Sequence, residues 1–297
     1  MSKRAPTHGS AAGQTYLALR QKARAERRTT DELLQLHALE AFIDRLSTAD
    51  RGRGLVLKGG ALLAAYDVRR PTRDVDLSAQ HLDNAPDSIR ELVQAISAEP
   101  RMDGWAYETA SAETIREDDH YSGVRVTVLG QLATARVTFH VDVSVGDVVW
   151  PAPTTVTLPR LLGGQLAVRA YSIPMILAEK LVTAMQRGTA NTRWRDFADV
   201  YLLTGTHGMR ADVISQAIRR VAAHRAATLA PLSVVLRGFE TLASTRWTAW
   251  VRKQGLADRL PLDFAAALSA VIGFADPLAT DNCDGDWHPT ARAWSSR

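Results

Sequence analysis

Cysteine is nearly absent. The single thiol, Cys283, excludes an intrachain disulfide framework and any cysteine-rich zinc site, and it fits a reducing compartment. No stretch of about eighteen apolar residues occurs, so no membrane span is expected. The opening "MSKRAPTHGSAAGQ" lacks the apolar core of a secretory signal, and the expected location is the cytoplasm. Neither a GxxxxGK[ST] loop nor a GxGxxG turn is present, which excludes the P-loop and dinucleotide-binding classes. Acidic charge is slightly outweighed: the net charge of +4 and pI near 9.4 favour polyanionic partners over cationic ones.

What is present divides the chain in two. Helical periodicity covers residues 15–28 and 30–48, the second with a Thr-Asp start and a stripe of Leu33, Leu36, Leu39, Phe42, Ile43 and Leu46. Short strands follow in "GLVLKGG" and "RDVDLSA". After the helix "PDSIRELVQAISAEP" come "GWAYETA", "SGVRVTVLG", "ARVTFHVDVSVGD" and "QLAVRAYS", partly with period-2 alternation. From Ile173 onward the pattern is helical. The expected fold class is therefore α+β: a mixed-sheet domain over 15–170, then a mainly helical domain over 171–280. A flexible arm is expected over 1–14 and a loose tail over 281–297.

The chemistry concentrates in "KGGALLAAYDVRRPTRDVDLSA", residues 58–79. In a strand, Asp74, Asp76 and Ser78 share one face, while Val75 and Leu77 face the core. Two carboxylates about 6–7 Å apart along a strand repel each other and resist burial. A divalent cation removes that repulsion, and Mg²⁺ is commonly held by one or two carboxylates together with substrate phosphates. Gly59 and Gly60, closing a strand and opening a helix, can turn backbone N–H groups toward phosphate oxygens. A lone DxD also suits a strand edge guarded by charge; the glycine pair, short helix and DxD strand in succession favour a nucleotide site.

A third acid supports this reading. In "ARVTFHVDVSVGD" the residues Thr138, His140, Asp142 and Ser144 share the face opposite Val137, Phe139, Val141 and Val143. Asp142 beside the DxD strand completes a three-carboxylate metal set, Asp74, Asp76 and Asp142. Downstream, Lys180 and Arg187 lie on one face of the helix "ILAEKLVTAMQRG" and can meet phosphates. In the next helix, Asp196 and Asp199 either orient those cations or, for Asp199, enter the site.

The five blocks "LKGGALL", "TRDVDLS", "HVDVS", "AEKLVTAMQR" and "RDFADVYLL", spread over residues 54–205, resemble the nucleotidyltransferase toxins of the AbiEii/AbiGii family, which includes the mycobacterial MenT toxins. One departure is Ala61, where the family usually has Ser or Thr after the glycine pair. The resemblance implies a polymerase-β-like core and transfer of NMP from an NTP with Mg²⁺, or Mn²⁺ in its place. The implied acceptor is RNA, the 3′ end of tRNA in related toxins, which blocks translation; a cognate antitoxin is the implied partner. Carried over by position, Asp74, Asp76, Lys180 and Asp199 form the catalytic set. Lys58, Gly59, Gly60, Lys180 and Arg187 form the nucleotide-binding set. Thr72, two residues before Asp74, is a candidate regulatory phosphorylation site, because a phosphate there adds about −1.5 to −2 charge.

Two other classes fit the same residues. The metal site also serves a small-molecule, aminoglycoside-like nucleotidyltransferase, and a non-catalytic RNA- or partner-binding module could keep the fold alone. An RNA acceptor favours a basic, aromatic C-terminal surface, for which Arg219, Arg220, His224, Arg225, Arg246, Trp247, Trp250, Arg252 and Lys253 are candidates, although Trp247 and Trp250, spaced i, i+3, equally suit a core.

Overall fold

The computed structural model describes residues 6–118 and 121–295. By contacts the chain forms two compact units, residues 1–147 with 154–170, and residues 148–153 with 171–297. The first holds a mixed seven-stranded sheet with helices; the second is mainly helical, in line with the α+β expectation.

In the first unit, α1 (Ala11–Ala25) begins earlier than the sequence pattern implied. Ser10 caps it by accepting from the Gly13 N–H at 3.1 Å, so the expected arm over 1–14 already contains a helical turn. Residues 1–5 of that arm lie outside the described residues. Next come α2 (Thr30–Thr48), β1 (Leu55–Lys58), α3 (Gly59–Leu62), β2 (Asp74–Ala79) and α4 (Pro86–Ser97). The remaining strands are β3 (Trp105–Asp118), β4 (Tyr121–Leu132), β5 (Ala135–Val145), β6 (Thr154–Pro159) and β7 (Gln165–Ala170). β6, short and rich in threonine, was not foreseen although Val156 and Leu158 alternate with Thr155 and Thr157.

The sheet order is β3-β4-β5-β2-β1-β7-β6, with β2 parallel to β5 and antiparallel to β1. β5 alternates as its sequence dictates: Val137, Phe139, Val141 and Val143 are buried, and the residues between them are more open. α2 lays its apolar stripe on that face, where Phe42 meets Phe139 edge-on at 5.8 Å. Each fully buried Leu or Phe of this stripe contributes about 1.5–3 kcal/mol. Two of the polar groups that α2 buries are paired with side chains of the 103–105 segment. Arg45 binds the Asp103 carboxylate at 2.5 and 3.0 Å, and His37 Nδ1 accepts from the Trp105 indole at 2.9 Å.

The second unit contains α5 (Ile173–Arg187), α6 (Trp194–Thr206), α7 (Ala211–His224), α8 (Leu232–Val235), α9 (Phe239–Lys253) and α10 (Phe264–Ala279). Pro174 sits in the first turn of α5, where no intrahelical N–H is needed, and Gly188 stops the helix with a positive φ of 51°. Phe264 is the hub of its aromatic core, with Trp194, Phe197, Phe239 and Trp247 at 5.1 to 6.2 Å.

The segment expected as a loose tail instead forms β9 (Asp286–His288) and β10 (Ala293–Trp294), which join β8 (Met209–Arg210) in a small sheet. Trp287 explains the order. Its side chain is 1% exposed, its indole donates to the Thr204 carbonyl at 2.6 Å, and its ring stands edge-on to Phe274 at 4.9 Å.

Candidate active site

Pairing fixes the acids on one face. In the parallel ladder Asp74 lies beside His140 and Asp76 beside Asp142, while in the antiparallel ladder Lys58 lies beside Asp76. Neighbours in register point the same way, so Asp74, Asp76, His140, Asp142 and Lys58 gather on the sheet face opposite Val75, Leu77 and Val141. The three acids foreseen from sequence are thus brought together rather than scattered.

The glycine turn comes to the same place. Gly59 has φ +66°, which an L side chain rarely adopts, and a Cβ built on it would stand 1.9 Å from Asp76 Oδ2. The Asp76 carboxylate therefore rests directly against the backbone of the turn. α3 has only four residues and passes into a 3₁₀ turn over Leu63–Tyr66. Its dipole is correspondingly small, so individual N–H groups matter more than the helix end.

Asp142, expected as a third metal ligand, is engaged by an arginine. Arg125 on β4, its partner in register, donates to both carboxylate oxygens, at 2.8 and 2.6 Å. These hydrogen bonds, aided by the charges of Asp142, Asp74 and Asp76, hold the Arg125 guanidinium above the usual arginine range. Among the described residues no group of three or more His, Cys, Asp or Glu side chains is arranged to hold a metal ion. The donor set that fits Mg²⁺ is accordingly the Asp74–Asp76 pair, which leaves the remaining coordination to phosphate oxygens and water. The alternation of "SGVRVTVLG" assigns the face of Arg125 but not its partner, so the amino-acid pattern alone does not single it out.

Lys58 has a partner of its own. Its ammonium lies 2.8 Å from the Asp147 carboxylate, which is 4% exposed and also accepts from the Ser144 hydroxyl at 2.5 Å. Asp147, just past the end of β5, is thus the anchor that holds Lys58. Thr72 is 8% exposed, and its hydroxyl lies 3.0 Å from where a Gly60 Cβ would be, beside Arg70. A phosphate could reach that hydroxyl only after the segment opens.

In the second unit, Lys180 is held by two acids, Asp196 at 2.6 Å and Asp199 at 2.8 Å. Asp199 is 0% exposed, so its geometry is that of a positioning residue for Lys180 and not of a group open to substrate. Arg187 is half-buried at the end of α5. Of the C-terminal candidates, Arg246 and Arg252 are exposed, while the tryptophans pack inward. Trp247 is fully buried and donates to the Pro261 carbonyl at 2.8 Å; Trp250 is half-buried, with its ring 5.7 Å from that of Trp247. Arg219 pairs with Asp281, Arg225 bonds Thr183 at 2.8 Å, and Arg220 lies over the Trp150 ring.

A strand-borne acid pair packed against a glycine turn, with anchored cations close by on the sheet, is an arrangement suited to phosphate groups, as nucleotidyl-transfer enzymes require. The chain matches the family model of the nucleotidyl transferase AbiEii toxin, type IV toxin–antitoxin system, over residues 41–270, and it belongs to that family. Membership implies an antitoxin partner. No curated protein matches the chain closely enough to add to this. Among solved structures, JHP933 from Helicobacter pylori is similar at 15% identity and TM-score 0.49, covering 86% of this chain and 95% of that one. A candidate nucleotidyltransferase from H. pylori is similar at 15% identity and TM-score 0.48, covering 85% and 96%. Likeness at that distance carries no argument about activity. No helix among the described residues is long and apolar enough to cross a membrane.

Proposed function

We propose that the chain transfers NMP from an NTP to an RNA acceptor, the tRNA 3′ end, in the cytoplasm, and thereby blocks translation as the MenT toxins do. The observation that carries the reading is the placement of Asp74 and Asp76 on one sheet face, with Asp76 against Gly59. In the reaction, an acceptor hydroxyl attacks the α-phosphorus in line and the bond to pyrophosphate breaks. Asp74 and Asp76 would hold Mg²⁺, or Mn²⁺, which when bound neutralises charge on the phosphate oxygens.

The chain's own groups do the rest. The Gly59–Gly60 turn offers backbone N–H groups to the triphosphate, a larger share of the grip because Ala61 supplies no hydroxyl. Lys58, held by Asp147, presents a cation beside Asp76 in the ladder. Arg125 fixes Asp142 and offsets the repulsion among three acids. Lys180, oriented by Asp196 and Asp199, and Arg187 are assigned to the nucleotide phosphates on the strength of the family resemblance. Phosphorylation of Thr72 would repel an NTP from the turn; intact-mass measurement after co-expression with the cognate antitoxin tests this, and a neutralised but unmodified chain removes it.

The decisive experiment incubates the purified chain with each labelled NTP, Mg²⁺ and total tRNA, beside Asp74→Ala and Asp76→Asn. Label in RNA that vanishes in both variants supports the proposal. Label confined to small molecules shifts it to an aminoglycoside-like acceptor. An Asp76→Asn chain that still arrests growth when expressed would leave a binding module.

A further inference from the structure

A cleft of about 460 Å³ opens in the first unit where β2 and β5 begin, against the first turns of α2. Tyr16, Asp31, Gln35, Arg73, Arg136 and Thr138 line it. Neither guanidinium has a hydrogen-bond or ion-pair partner among the described residues, and both arginines are exposed. Gln35 adds an independent observation: its amide Nε2 is buried and finds no acceptor in the protein. A buried donor left without an acceptor is costly, and a rotation of the Gln35 side chain toward the cleft would give it an acceptor on a ligand held there.

The cleft adjoins the acid pair without being part of it. Arg73 immediately precedes Asp74, and Thr138 is two residues before His140, the ladder neighbour of Asp74. Through Arg73 and Thr138 the cleft reaches the strand ends next to Asp74, while Asp31 and Gln35 of α2 line it from the other side of the sheet. The lining specifies the chemistry of a chain held there. Two guanidiniums suit phosphodiester oxygens, the Gln35 amide suits a carbonyl on a base edge, and the Tyr16 ring suits stacking on an unpaired base. Asp31, the carboxylate among these residues, would repel phosphate but can accept from a ribose hydroxyl. The volume lies within the range of small-ligand pockets and admits a single nucleotide.

We propose that this cleft holds the single-stranded end of the RNA acceptor. The assignment rests on the nucleotidyl-transfer reading above. The test measures binding of a fluorescein-labelled single-stranded RNA octamer to the full chain by anisotropy, with no NTP present. Arg73→Gln/Arg136→Gln, both at exposed positions, should bind at least tenfold more weakly. Its slope of log affinity against log salt should be shallower by about 1.4, at about 0.7 per phosphate contact. A DNA octamer of the same sequence should bind the wild type more weakly than the RNA.

Gln35→Leu supplies a readout that a purely structural role would not give. Removing the unsatisfied donor should raise the melting temperature while weakening RNA binding. Unchanged RNA affinity in the double variant, or equal affinity for DNA, overturns the proposal. If the wild type still labels RNA in that event, only the cleft assignment is lost. A wild type that neither binds the octamer nor labels RNA takes both readings down.

Discussion

Adding one methyl group at Gly59 tests the geometry on which the active-site reading depends. The new Cβ would stand 1.9 Å from Asp76 Oδ2, whereas ordinary contact begins near 3.4 Å. The carboxylate must therefore retreat by about 1.5 Å or the turn must move. Alanine at φ +66° also carries a backbone penalty of about 1–2 kcal/mol. Because misplacement of about 1 Å can cost about a hundredfold in rate, Gly59→Ala should lose at least that factor in NMP transfer while remaining folded. Gly60→Ala is the internal control. Its Cβ would meet Thr72 Oγ1 at 3.0 Å and the Arg70 guanidinium at 3.1 Å, both side-chain ends able to yield. Its activity should stay within about tenfold of wild type, a loss well below that of Gly59→Ala. Single-turnover transfer of labelled NMP, beside urea unfolding of each variant, gives both numbers. A Gly59→Ala chain with wild-type turnover would show that Asp76 is not held by the turn in the working enzyme.

Burial pushes the His37 imidazole down to about 4, so on acidification the unfolded chain takes up the proton first. The stability this residue contributes is complete above about pH 6.5 and is lost as pH falls toward 4, about 3 kcal/mol in all. Urea midpoints between pH 7.5 and 4.5 should fall less steeply for His37→Gln than for wild type, and parallel curves would refute the assignment. Lys180→Met removes the ammonium from the fully buried Asp199 and should destabilise by about 3–5 kcal/mol. Adding Asp199→Leu should restore part of that, and a loss under about 1 kcal/mol in the single variant would mean the pair is not desolvated. Trp287→Ala should cost about 3–5 kcal/mol in equilibrium unfolding, which a loose terminal segment would not show.

The amino-acid sequence by itself determined the strand and helix periods, the shared face of Asp74 and Asp76, and the glycine pair ahead of them. Each is set within a few residues by backbone geometry. The α+β character and the helical second half also follow from local pattern. The pairing of Arg125 with Asp142 follows from the two-residue turn between β4 and β5, which fixes the hairpin register, but the parallel pairing of β2 with β5 was decided only in three dimensions. The same holds for Lys58 with Asp147, for Asp199 buried beneath Lys180, and for the close approach of Asp76 to Gly59. Trp287 marks the limit most plainly. Its polar segment reads as a loose tail, yet burying the large apolar ring outweighs that context once the Thr204 carbonyl satisfies the indole N–H.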